Sequence, residues 1–249
     1  MEIVILVDVE TTGLNPETDK IIELGAVAYD PEKKKILGTF SHLCNPGKDY
    51  KISQEIEEIT GISQFEIETI GVSEDRLLSN FEEWFDIWAG DEINQIFFAA
   101  HNAPFDKGFL LALKNASTFG FNDYRWIDTR EDLPFPKSVT SRKLIHLVPE
   151  ICGFVNPFSH RALFDAISTA KLLGAFDWEI VKTRINQEKW RVTALVTYHE
   201  REAAKEAGFR WTGKAWEKDL YECDLQEEGK NWTFLFNTKL IRKDGVELE

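Results

Sequence analysis

The chain has 249 residues, 43% hydrophobic and 29% charged, with a formal net charge of −14 at pH 7. That length supports one good-sized core and a small appendage, and no apolar run approaches the ~18 residues that span a bilayer, so a soluble globular protein is expected. The acidic balance argues against a broad basic nucleic-acid groove, and three scattered cysteines form neither a disulfide framework nor a zinc pattern, which fits a reducing, cytoplasmic setting. The acidity is uneven: residues 1–177 carry 16 Lys+Arg against 29 Asp+Glu, whereas residues 178–249 carry 13 against 14.

The first eight residues are an apolar run ending at Asp8, too short and too acidic for a signal peptide, and they read as a buried strand. Thr11 to Pro16 is a turn. Residues 21–29 and about 36–43 are two further strands of an antiparallel meander. A short helix is expected over 53–60. Leu77, Leu78, Phe81, Trp84, Phe85 and Trp88 recur at helical spacing over 74–89. Residues 96–100 form a buried strand, and Asn102 is placed to cap a helix with Pro104 in its first turn, running to about Asn115. A short strand over 126–129 and helices over 140–148 and 161–176 follow. Residues 178–190 are polar and read as a link. Beyond it come a strand at 192–196, a helix from about Glu200 to Ala207, two Trp-bearing segments around Trp211 and Trp216, and a last strand at 232–236.

Three acidic elements stand out. Asp8 and Glu10 lie two residues apart at the end of a strand, so both carboxylates point to one face. Like charges this close drive each other toward protonation unless a cation sits between them, and Mg²⁺ takes one or two carboxylates while keeping sites for water and phosphate. Alone, this pair is better read as a strand running out into a solvated loop. His101-Asn102-Ala103-Pro104-Phe105-Asp106 follows a buried strand and opens a helix. Asp106 would sit in its first turn, where the helix dipole by itself favours an acid. His160-Arg161-Ala162-Leu163-Phe164-Asp165 is the third element. Residues five apart on a helix differ by about 140°, so His160 and Asp165 can converge only if His160 precedes the helix.

Taken together and in this order, Val7-Asp8-Val9-Glu10-Thr11-Thr12-Gly13-Leu14, His101-Asn102-Ala103-Pro104-Phe105-Asp106 and His160-Arg161-Ala162-Leu163-Phe164-Asp165 resemble the three motifs of the DEDDh 3′-5′ exonucleases, the family of the proofreading epsilon subunit, exonuclease X and ribonuclease T. The resemblance covers roughly residues 1–176. It implies an α/β fold, a ribonuclease H-like mixed sheet flanked by helices. It also implies that Asp8, Glu10, Asp106 and Asp165 hold two divalent cations, Mg²⁺ or Mn²⁺, and that His160 is the general base. A histidine titrating near ~6.5 suits that role at neutral pH. Two cations about 3.5–4 Å apart can activate water and stabilise a leaving oxygen, and their charge would let an acidic body accept a polyanion.

By the same resemblance Glu10 also orients the terminal nucleotide or water, and the backbone around Thr11 and Thr12 and the side chain of Leu14 meet that nucleotide. Asn102 and Phe105 are candidates to line the cleft; Phe105 is equally placed for stacking on a base or for helix packing. Arg161 is a candidate phosphate contact or a solvated charge. Asp128-Thr129-Arg130 resembles the family's short Asp-Thr segment. The expected reaction releases nucleoside 5′-monophosphates from DNA 3′ ends, single-stranded or frayed, in DNA replication or repair. RNA trimming of the ribonuclease T kind is the enzymatic alternative, and a non-cleaving nucleic-acid-binding adaptor is the other.

The expected division is an exonuclease domain over 1–177, a link over 178–190 and a small α+β domain over 191–249. In the latter, Ala203 to Trp211 followed by Lys214-Ala215-Trp216 resembles a module appended to phage and plasmid DNA-processing proteins. Its Trp residues lie among Arg210, Lys214 and Lys218, a composition that suits stacking on single-stranded bases; filling a tiny core is the favoured reading. No polymerase- or clamp-binding peptide is evident.

Overall fold

The computed structural model describes residues 1–90, 96–136, 138–225, 237–242 and 247–248. Two compact units divide the chain, Met1–Trp178 and Glu179–Glu249.

In the first unit, β1 (Ile3–Thr11), β2 (Ile21–Asp30), β3 (Lys35–Leu43), β4 (Ile96–Ala100) and β5 (Arg125–Asp128) form one sheet in the order β3-β2-β1-β4-β5. The β1-β2-β3 meander is antiparallel, as expected, while β4 and β5 run parallel to β1. Placing β1 at the centre explains its sequence: Val4 to Val7 are fully buried, as a strand covered on both faces requires. Alternation sends Ile3, Ile5, Val7 and Val9 into an aromatic-rich core with Leu77, Phe81, Phe85 and Phe98, and Asp8 and Glu10 to the other face.

Helices α1 (Gln54–Thr60), α2 (Gln64–Ile70) and α3 (Glu74–Ala89) each start on a serine, Ser53, Ser63 and Ser73, whose side chain accepts a backbone N–H. The α2 helix was not expected. Its signal is Ser63-Gln-Phe-Glu66, in which the serine and the glutamate satisfy each other's backbone donors. Further along come α4 (Ala103–Ala112), α5 (Ala116–Phe119), α6 (Leu144–Cys152) and α7 (Ala162–Gly174). The α5 turn was also not expected, and α6 begins four residues later than its apolar spacing suggested.

Helix α8 (Trp178–Ile185) occupies most of the stretch read as a link. Polarity misled there, because its first residue, Trp178, is buried at the end of the first unit and stacks edge-on with Phe97 at 5.2 Å. The second unit holds β6 (Lys189–Leu195), α9 (Arg201–Glu206), β7 (Arg210–Trp211), β8 (Trp216–Tyr221), β9 (Asn237–Arg242) and β10 (Glu247–Leu248), in a sheet ordered β10-β9-β6-β8-β7. Val192, Ala194, Ala204, Phe209 and Leu220 form its core, with Trp216 packed against it. Trp211 is 57% exposed and lies 5.9 Å from Trp216, so of these two Trp216 follows the core-filling expectation and Trp211 does not. The expected strand at 232–236 lies outside the described residues.

Candidate active site

Three elements deliver the acids to one place. Asp8 and Glu10 come from the end of β1, paired in register with Gly25 and Glu23 of β2. The first turn of α7 lies directly over Gly25: a Cβ there would run into the backbone of Ala162 and Leu163. A side chain at position 25 would therefore lift α7 away from Asp8. Asp106 comes from the first turn of α4 and is buried, its Oδ1 accepting the Val9 N–H at 3.1 Å. That bond ties α4 to the middle of the Asp8-Val9-Glu10 segment.

Asp165 lies in the first turn of α7, and His160 precedes that helix in a left-handed backbone conformation, φ 64°. The turn brings the His160 N–H to Asp165 Oδ2 at 2.8 Å. Asn156 donates to Asp165 Oδ1 at 2.8 Å. Glu10, His160 and Asp165 each offer a ligand atom, and these atoms all lie within 4.8 Å of one another. The five-residue spacing that cannot share a helix face is thus resolved by the bend at His160.

Electrostatically the cluster is frustrated. Burial pushes the Asp8 carboxyl well above the usual range, and the charges of Asp106, Glu10, Asp165 and Glu23 push it further. Glu10 is raised to about 8 by burial, then by Asp165, Glu23 and Asp106. Asp106 is raised by burial, with the Val9 N–H opposing, and Asp165 by burial, with the His160 N–H opposing. Carboxylates this reluctant to ionise are what a bound divalent cation would relieve, so the donor set fits hard, oxygen-seeking metals such as Mg²⁺ or Mn²⁺.

Several residues not singled out as candidates hold this arrangement. Glu23 is 2% exposed and receives a forked pair from Arg161, Nη2 to Oε1 at 2.9 Å and Nε to Oε2 at 3.1 Å. It also accepts the Ala162 N–H at 2.9 Å, the first free donor of α7. The Arg161 guanidinium thus neutralises a buried acid and anchors α7 while remaining partly exposed. Asp128 accepts the Asn102 N–H at 3.0 Å, and the His101 ring bridges Thr129 Oγ1 and the Arg142 carbonyl. Together these fix the turn before α4.

The remaining candidates divide. Leu14 protrudes, 84% exposed, from the turn after β1. Thr11 Oγ1 bonds the Gly13 carbonyl at 2.5 Å, and Thr12 is engaged through both its N–H and its hydroxyl with Lys20. Phe105 packs on Phe109 with centroids 4.9 Å apart, which favours helix packing over base stacking. Asn102 sits at the α4 N-cap with φ 84°, but its side chain makes no capping bond. A left-handed backbone is not the extended conformation from which an N-cap side chain usually reaches the helix's free N–H groups, which corrects the expected cap.

A five-stranded mixed sheet between helices, with acids converging beside its central strand, defines a ribonuclease H-like nuclease fold. The exonuclease family model matches residues 5–173, and the chain belongs to that family. The DEDDh resemblance carried by the three motifs is thereby borne out. A second model, for a domain of unknown function, matches residues 191–229. The PolC-type DNA polymerase III of Staphylococcus haemolyticus is 32% identical over 166 residues, 67% of this chain, and the match spans 11% of that polymerase. Among solved structures, the nuclease domain of 3′hExo, a DEDDh family member bound to rAMP, has a TM-score of 0.59 at 20% identity, covering 70% of this chain and 90% of that one. Escherichia coli exonuclease I with a dT13 oligonucleotide has a TM-score of 0.59 at 19% identity, covering 78% and 48%. At these identities the two structures establish the fold.

Proposed function

We propose that this chain hydrolyses nucleic-acid strands from the 3′ end and releases nucleoside 5′-monophosphates. Asp8, Glu10, Asp106 and Asp165 would hold two divalent cations, with His160 as the general base. The observation that carries this reading is the convergence of Glu10, His160 and Asp165 beside the partly buried Asp8 and the buried Asp106. Cations bound there would supply Lewis-acid chemistry, lowering the pKa of a bound water and offsetting charge on a leaving oxygen.

The chain's own groups do the rest. His160 is exposed at the mouth of the cluster, where its ring can take the proton of the attacking water. Its backbone N–H and Asn156 hold the Asp165 carboxylate from two sides. Leu14, on the turn after Glu10, is free to wedge against the terminal base or sugar.

DNA with a single-stranded or frayed 3′ end is the preferred substrate. The support is the PolC-type relative, named as a DNA polymerase, and the dT13-bound exonuclease I. RNA is the second reading, supported by the rAMP-bound 3′hExo. Among the described residues no helix is long and apolar enough to cross a membrane, and the three cysteines are free thiols; both accord with a cytoplasmic protein.

The test is a panel of 5′-labelled DNA and RNA, single- and double-stranded, with Mg²⁺ or Mn²⁺. Stepwise shortening of single-stranded DNA to a ladder, with mononucleotide product, is expected. RNA shortened faster than DNA would reverse the substrate preference. No shortening of either polymer would leave the adaptor reading and remove this one.

A further inference from the structure

Phenylalanine is mostly a core residue here, yet Phe158 and Phe164 are 54% and 39% exposed. Their ring centroids lie 4.7 Å apart, tilted by 47°. Two adjacent rings kept in water are apolar surface that folding alone does not require. Both belong to the segment that carries His160 and Asp165: Phe158 lies two residues before the histidine and Phe164 one residue before the acid. One side chain locks the segment together. Asn156 Oδ1 accepts the Phe158 N–H at 2.9 Å while Asn156 Nδ2 donates to Asp165 Oδ1 at 2.8 Å. The aromatic pair is thereby held in register with the acid cluster.

We propose that Phe158 and Phe164 form a stacking platform for one unpaired nucleobase inward of the 3′-terminal nucleotide of the substrate strand, a proposal that rests on the exonuclease reading above. The acidity of residues 1–177 makes this chemistry apt. Without an excess of lysine and arginine, grip on a polyanion must come from cations at the cluster and from uncharged contacts with the bases. Stacking supplies such contacts regardless of sequence, because every base has a π-face. It also requires an unpaired base, so the platform would select single strands or frayed ends without distinguishing ribose from deoxyribose.

The test uses the full chain with Mg²⁺ and single-stranded DNA 12-mers carrying one abasic site, stepped inward from the 3′ end. The wild type should lose roughly ten-fold or more in kcat/KM at one abasic position. Phe158→Ala and Phe164→Ala should lose about as much on the intact strand, chiefly through KM, and nothing further at that same position. Phe→Leu at either site, which keeps apolar bulk but no π-face, should not restore the loss. The p-nitrophenyl ester of thymidine 5′-monophosphate, which carries a single base, should be hydrolysed alike by wild type and variants.

Alanine variants that match the wild type on strands, or leucine variants that restore it, would overturn the platform while the nuclease reading stands. Ester hydrolysis lost together with strand cleavage would make the rings structural supports of Asp165 and also overturn it. A wild type inert on both ester and strand would remove the exonuclease reading and the platform with it.

Discussion

The two walls of the acid cluster are built differently. One is the sheet wall: Asp8 on a central strand whose apolar residues are fully buried, and Asp106 tethered to the backbone of that strand. The other is the segment from Asn156 to Asp165, with an exposed histidine in a left-handed turn, a half-buried acid and two exposed aromatic rings. The first wall is anchored in the core: Asp106 is buried, and Asp8 is partly buried between the buried Val7 and Val9. The second is held by a few polar bonds: Asn156 to Asp165, the His160 N–H to Asp165, and Arg161 with the Ala162 N–H to Glu23. Buried acids suit fixed charge, and an exposed segment suits proton transfer and contact with a strand.

Breaking the rigid wall should have the largest effect. Asp8→Ala is expected to lower cleavage of labelled single-stranded DNA by roughly three orders of magnitude or more. Because Asp8 sits, partly buried, among like charges, its removal should leave the melting temperature in EDTA unchanged or higher. A large fall in that temperature would instead make Asp8 a structural residue.

On the exposed wall, His160→Ala should lower kcat by about 10²–10⁴-fold. Mn²⁺ binding by calorimetry should be retained, because the four acids remain. An unchanged pH–rate profile would count against the general-base role.

Arg161→Ala probes what joins the two walls. It leaves Glu23 buried and unpaired, a loss expected at about 2 kcal/mol by urea unfolding, below the usual range for fully buried pairs because the arginine is itself half-exposed. Activity should fall along with the seating of α7. Arg161→Lys, which cannot reproduce the forked contact, should recover only part of the loss. Equal stability of Arg161→Ala and wild type would show that Glu23 is satisfied without it.

The last effect is on the stability of the metal-free protein as pH changes, with no bearing on cleavage. Glu10 rises from its ordinary 4.5 to about 8 in the folded chain, so the folded state binds its proton more tightly than the unfolded state does. Its contribution to stability is full below about pH 4.5 and is lost as pH rises through about 8. The melting temperature in EDTA should therefore decline across that window, and Mg²⁺ should abolish the decline. A melting temperature that instead rises with pH in EDTA would refute the frustrated-cluster description.

How much of this was legible follows from range in sequence. Strand alternation alone placed Asp8 and Glu10 on one face, and the 140° argument required His160 to precede its helix; both constraints are local and periodic. The forked Glu23–Arg161 pair spans 138 residues, and no spacing rule links its members. Arg161 therefore read as a phosphate contact or a solvated charge, and Glu23 was not singled out. Helix α8 was hidden by its polar composition, whereas α2 left a serine–glutamate signature that went unread.

What the sequence determined by itself was the order and type of the main elements around the acids, because apolar periodicity and capping residues act over a few positions. It also determined the identity of the five residues that meet, through three motifs each short enough to be read locally. The tertiary structure alone decided how they meet: Gly25 lets α7 descend onto β2, Glu23 and Arg161 hold it there, and Asn156 sets Asp165 and the aromatic pair in register. Those are contacts between segments distant in sequence, formed only once the sheet and helices have packed.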